Sequence, residues 1–287
     1  MPNRQALQPV GVFDSGIGGL SVLQALQEAL PHEHFVYLAD NGHAPYGEKT
    51  EAYVRSRSHA IASHLLAAHQ IKALVVACNT ATAAAIHELR ARHPHLPLVG
   101  VEPALKPAVA LSQTHRIGVM ATRGTVDSEK FSRLLTRLSD QADFVVQPCN
   151  GLALAIEHSV QPGHAEHAQT EIEQLLVRYT QAMGPFGSAQ GQIDTLVLGC
   201  THYVFVQETL QRLLGSQIKL VSTGEPVAQQ TRRLLQAAGL MRQQAAPHAL
   251  SARVQLLATG ETTGLGAAAQ RWLGLPSGSA RRASPIA

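Results

Sequence analysis

Short apolar runs punctuate the chain at intervals, and each is about the length of a buried strand. They are PVGVF (9–13), HFVYLA (34–39), ALVVA (73–77), PLVGV (97–101), RIGVMA (116–121), DFVVQ (143–147), TLVLG (195–199), IKLVS (218–222) and VQLLA (254–258). Unbroken Val/Leu/Ile runs, rather than strict alternation, suit strands covered on both faces. Most are separated by longer mixed stretches rich in Ala, Leu, Gln and Arg. SVLQALQEAL (21–30), TATAAAIHELRAR (80–92) and residues 225–239 read as helices. Strand and helix in alternation predict an α/β fold with mostly parallel sheets.

The pattern repeats. PVGVFDSGIGG (9–19) resembles RIGVMATRGT (116–125), HFVYLADNG (34–42) resembles DFVVQPCNG (143–151), and LVVACNT (74–80) resembles LVLGCTH (196–202). The third pair is spaced more widely, and GPFGSAQGQ (184–192) reads as the surface loop that takes up the difference. Two similar α/β lobes follow. Residues 1–97 with 210–275 are expected to form the first, 98–209 the second, and the Ser/Arg/Pro tail at 276–287 is expected to be disordered.

Composition narrows the function classes. At 287 residues and 45% hydrophobic content the chain can build a substantial core, which excludes wholesale disorder. A net charge of +3, from 23 basic and 20 acidic side chains, with only 4% aromatics, argues against a nucleic-acid binder. Three cysteines cannot form a disulfide framework. The opening MPNRQALQPVGVFDSG lacks the apolar core of a signal peptide, and no run reaches the ~20 residues of a membrane helix. A cytoplasmic protein is therefore expected, with no membrane association.

Ligands of open parallel sheets bind beyond the carboxyl ends of strands, so strand ends are where chemistry is sought. The first run ends in Asp14-Ser15 before a glycine-rich turn, the third in Cys78-Asn79-Thr80, and its repeat in Cys200-Thr201-His202. A thiol just before a helix feels that helix's positive end, which favours thiolate. One such cysteine could equally be a buried, inert thiol. Two at matching places in facing lobes would put sulfurs on opposite sides of one ligand. Asn79 and Thr80 can cap the helix or donate to an anionic ligand, and His202 can serve as a proton partner. Asp14 reads either as a strand-end cap or as a group facing a substrate ammonium.

Other candidates are weaker. GIGGLS lacks the third glycine of a dinucleotide fingerprint and no Gly-Lys-Ser/Thr follows. The 15 histidines show no metal-ligand spacing, so no metal is expected. Cys149 reads as a bystander. Lys106, among prolines in an expected loop, is a poor Schiff-base candidate.

The stretches FDSGIGGLSV, ADNGHAPYGEKT, VVACNTATA, GVMATRGTVDS and LVLGCTHY together resemble the glutamate racemases, within the cofactor-independent aspartate/glutamate racemases. The match runs in order from about residue 10 to 260. The resemblance implies two pseudo-twofold-related lobes with the active site in the cleft between them. It implies interconversion of L- and D-glutamate without a cofactor, supplying peptidoglycan synthesis and so cell-wall biogenesis and cell shape, and a homodimer. It assigns catalysis to Cys78 and Cys200, assisted by Asp14, His202 and Glu157. Substrate contacts fall on Asp14, Ser15, Tyr46, Gly47, Asn79, Thr80, Thr201 and His202, with Thr122 and Thr125 toward the side-chain carboxylate. Asn-Gly-His-Ala before Pro-Tyr-Gly, and Val204-Phe205 after Cys-Thr-His-Tyr, depart from the usual pattern. A racemase of aspartate or another acidic amino acid on the same scaffold is the alternative reading.

Overall fold

The computed structural model describes residues 4–243, 250–276 and 278–286. The strands, in chain order, are β1 (Val10–Asp14), β2 (Phe35–Ala39), β3 (Ala73–Val76), β4 (Leu98–Gly100), β5 (Arg116–Ala121), β6 (Asp143–Pro148), β7 (Thr195–Leu198), β8 (Lys219–Val221), β9 (Val254–Ala258) and β10 (Ala280–Arg282). They form a six-stranded sheet, β10-β9-β2-β1-β3-β4, and a four-stranded sheet, β6-β5-β7-β8. Every ladder is parallel.

The order β2-β1-β3-β4 in the first sheet recurs as β6-β5-β7-β8 in the second. The sequence repeats fall on equivalent strands, with β1 and β5 near the centre of each sheet. Residues of β1, β2, β3 and β7 are all buried, as expected of strands sandwiched between helices. The helices Leu20–Ala29 and Asn79–Arg92 begin within one residue of the predicted starts.

Sheet membership moves the expected lobe boundaries. β4 joins the first sheet, so that lobe runs past residue 97. β8 joins the second sheet, so the return to the first lobe follows residue 221 rather than residue 209. The helix Gly224–Ala237 then packs on Leu20–Ala29, and β9 pairs with β2. A three-residue apolar run carries no mark of which sheet it will join. The tail expected to be disordered contains β10, held at the sheet edge by backbone pairing to β9. Such pairing needs no apolar side chains, so composition did not reveal it. Residues 277 and 287 of that tail, and 244–249 of the first lobe, lie outside the described residues.

Lys106 lies not in a loop but on the helix Leu105–Leu111, where it is exposed. One hydrophobic cluster runs through both lobes, from Val10 and Leu26 to Leu152, Leu196 and Leu210. Across its edge, Phe205 stacks on Trp272 with ring centroids 3.7 Å apart and planes 11° from parallel. Among the described residues no helix is long and apolar enough to cross a membrane.

Candidate active site

Asp14 closes β1 and is fully buried. Its Oδ1 accepts from the Gly16 amide at 2.8 Å and its Oδ2 from the Thr201 hydroxyl at 3.2 Å. Burial pushes its carboxyl upward, against the opposing pull of His202. The turn after Asp14 must come close to the second lobe. A Cβ on Gly16 would run into the Glu157 carboxylate, and one on Gly18 into His202 and Thr201. The Tyr37 hydroxyl fixes this turn from below by donating to the Gly16 carbonyl at 2.7 Å.

Cys78 is the N-cap of the helix Asn79–Arg92, and its sulfur accepts from the Ala81 amide at 3.5 Å. Its other neighbour is the Ser15 hydroxyl, 3.9 Å away. The sequence argument from the helix dipole favoured thiolate here. Burial outweighs it: desolvation, then the Asp14 charge, pushes the Cys78 thiol well above its usual range. A charge on Cys200 pushes it the same way, so the two sulfurs lie within electrostatic reach of each other.

Cys200 follows β7 and precedes the 3₁₀ turn Thr201–Val206. His202 folds back so that Nδ1 lies 3.6 Å from the Cys200 sulfur. Its Nε2 meets Glu157 Oε1 at 2.6 Å. Because a carboxylate can only accept, Nε2 carries a proton toward Glu157, and Nδ1 faces the sulfur. Burial works to lower the imidazole's affinity for a second proton. The hydrogen bonds and charges of Cys200 and Glu157 outweigh it and hold His202 well above its usual range. Glu157, on the helix Leu152–His158, also accepts from the Ile17 amide at 2.7 Å, so one carboxylate ties the lobes together beside the thiols.

Between the lobes, Thr80, Thr122 and Thr125 form a chain of hydroxyls with steps of 3.0 and 3.0 Å. Gly47 packs against Thr122 and Gly124 against Gly47. Asn79 is buried with neither side-chain polar atom hydrogen-bonded. Such a group is costly to leave unpaired and suits a polar ligand. Tyr46 is buried as well, but its hydroxyl donates to Asp40, so it offers a ligand its backbone and ring rather than its phenol.

The two expected catalytic cysteines thus gather Asp14, Ser15, Asn79, Thr80, Thr201, His202 and Glu157 around them. Cys149 lies in the same buried cluster as Cys200, its thiol donating to the Gln147 carbonyl at 3.4 Å. A cavity of about 620 Å³ is lined by Ile17 and Glu157, together with Asn41, Gly42, His158 and Glu261. Asp40 and Arg57 were not singled out from sequence. Asp40 directly follows β2 and Asp14 closes β1, so the strand-end rule was the available signal. Among the described residues no group of three or more His, Cys, Asp or Glu side chains could hold a metal ion.

The family model described as Asp/Glu/Hydantoin racemase matches residues 10–231. A glutamate racemase of Ectopseudomonas mendocina is 48% identical over 233 residues, covering 80% of this chain and 83% of that one. A glutamate racemase of Pseudomonas aeruginosa is 47% identical over 232 residues, covering 81% and 83%. The solved glutamate racemase isoform RacE1 of Bacillus anthracis superposes with a TM-score of 0.81 at 29% identity, covering 96% and 97%. The Escherichia coli glutamate racemase, solved with L-glutamate and the activator UDP-MurNAc-ala, gives 0.77 at 30% identity over the same shares. The α/β fold is thus shared across most of the length of such proteins, and the chain belongs to the Asp/Glu/hydantoin racemase family.

Proposed function

We propose that this racemase interconverts L- and D-glutamate by a two-thiol proton transfer at Cα. The observation that carries the reading is the matched pair of strand-end cysteines, each with different neighbours. The substrate assignment is supported by relatives named as glutamate racemases at 45–48% identity.

Racemisation removes a proton from one face of Cα and delivers one to the other. Cys200 takes the proton of L-glutamate beside the cationic imidazole of His202, which Glu157 orients and charge-balances. Cys78, held neutral by burial, supplies a proton to the opposite face. The reverse reaction starts with Cys78 as thiolate, so the protonation states of the two sulfurs are coupled. No electron sink is needed if fixed donors carry the developing charge. Ser15, Asn79 and Thr201 face the α-carboxylate, and Asp14 faces the ammonium. Gly47, Thr80, Thr122 and Thr125 receive the side-chain carboxylate. D-glutamate made this way supplies a cell-wall peptide in the cytoplasm, from an enzyme working as a homodimer.

The test is racemisation in D₂O with glutamate and aspartate side by side. Glutamate should lose optical activity with deuterium entering Cα of the product, and aspartate should turn over far more slowly. Cys78→Ala and Cys200→Ala should each reduce the rate by at least ~1000-fold without unfolding the chain. Faster turnover of aspartate would replace the substrate, and wild-type rates in both variants would remove the mechanism.

A further inference from the structure

Tyr46 and Gly47 sit on a loop that leaves β2, and something must hold that loop against the second lobe. The Tyr46 hydroxyl donates to Asp40, whose carboxylate is wholly buried. Asp40 is gripped from the other side by Arg57, with Nε at 3.1 Å from Oδ2 and a terminal nitrogen at 2.8 Å from Oδ1. Arg57 is itself only 11% exposed. Its remaining terminal nitrogen donates at 3.1 Å to the carbonyl of Ile286, which is 229 residues away in sequence. The backbone of Asp40 closes the circuit, donating to the Asp14 carbonyl at 2.9 Å.

The segment that supplies that carbonyl is anchored along its length. β10 pairs with β9, the Ala283 amide donates to the Ala258 carbonyl at 2.8 Å, and Ala283 and Ile286 pack against the cluster that contains Tyr46. A guanidinium has a rigid fork of donors, so fixing one tine on a backbone carbonyl fixes the plane in which the other two meet Asp40.

We propose that Arg57 and residues 280–286 form a strap that positions the Tyr46–Gly47 loop for substrate, with Arg57 a positioning residue rather than a catalytic one. The proposal rests on the glutamate racemase reading above. The strap touches neither thiol, so it acts on how tightly glutamate is held and leaves proton transfer alone.

Two variants test it. A chain ended after Arg282 keeps β10 and removes the carbonyl, while Arg57→Lys keeps the charge and the full chain but loses the fork. Both should raise KM for glutamate, by roughly tenfold in the shortened chain, with kcat within about twofold of wild type. Both should also speed amide hydrogen exchange across residues 41–49 in the absence of substrate. Unchanged KM with unchanged exchange, or a fall in kcat alone, overturns the strap. If the full-length protein does not racemise glutamate, the functional reading fails instead, and the exchange measurement still decides whether the strap holds the loop.

Discussion

The strand ends of β3 and β7 occupy equivalent places in two repeats, yet their thiols live in different chemical company. Cys78 is bordered by a helix amide, a serine hydroxyl and the buried Asp14. Cys200 has an imidazole at its side, backed by a carboxylate. One sulfur is kept as a thiol by its surroundings. The other has a cationic imidazole beside it. A duplicated fold therefore gives symmetric placement, and divergence of one or two neighbours gives each sulfur its own surroundings.

That contrast makes its largest prediction at His202. His202→Asn should lower kcat roughly 100-fold by removing the charged partner beside Cys200. L- and D-glutamate have equal energies, so kcat/KM must fall equally in both directions. The asymmetry shows instead in the primary isotope effect. It should grow for L-glutamate deuterated at Cα and shrink for the D enantiomer, because the Cys200 step becomes the slower one.

Asp14→Asn sharpens the comparison from the other side. It should cost roughly tenfold in rate and give the mirror-image isotope pattern. Matching patterns in the two variants would show that the thiols are not separately served. The same substitution should stabilise the fold by about 1 kcal/mol at pH 7. The Asp14 carboxyl is raised on folding, so its ionised form is penalised, and the penalty builds as pH rises past the ordinary carboxyl range. Thermal melting at pH 7 and at pH 3 should show the gain only at the higher pH.

The smallest effect on catalysis is expected at the opposite ends of the same strands. Lys72 precedes β3 and Asp194 precedes β7, and both are buried. Lys72 pairs with Glu33 and donates to the carbonyls of Ala6 and Leu240 at 2.6 and 2.8 Å. Asp194 accepts from the Ser112 hydroxyl and from the Gln113 and Thr114 amides at 2.6, 2.6 and 3.0 Å, and from the Thr195 hydroxyl at 2.9 Å. Burial works to raise its carboxyl, and these donors more than offset it, holding it at about 2. A lowered carboxyl stabilises the fold above its ordinary range and loses that contribution as pH falls toward 2. Asp194→Ala should therefore destabilise by about 2 kcal/mol at neutral pH, with the gap to wild type closing in acid and kcat unchanged. A change in kcat would mean that the bases of the strands also carry catalysis.

Much of this arrangement is written locally. Nine strands announce themselves as apolar runs, most plainly β1, β2, β3 and β7, which are buried on both faces. The two cysteines announce themselves because they end such runs. What the sequence hides is long-range. Glu157 is one acidic residue on a helix, and only the family resemblance singled it out before its bonds to Ile17 and His202 were visible. The Arg57–Ile286 contact joins positions with no common pattern, and β10 has the composition of a loose tail. Lobe boundaries slipped for the same reason, since pairing partners of β4 and β8 are chosen in three dimensions.

The face-to-face rings of Phe205 and Trp272 give the molecule an intrinsic optical gauge. Trp272 is the sole tryptophan in the chain, on the helix Thr262–Leu273 after β9, while Phe205 rides on the turn that begins at Cys200. Any parting of the two halves to admit or discharge an amino acid unstacks that indole and wets it. Its emission then shifts to longer wavelength, so breathing of the enzyme can be timed in a stopped-flow instrument without attaching a dye.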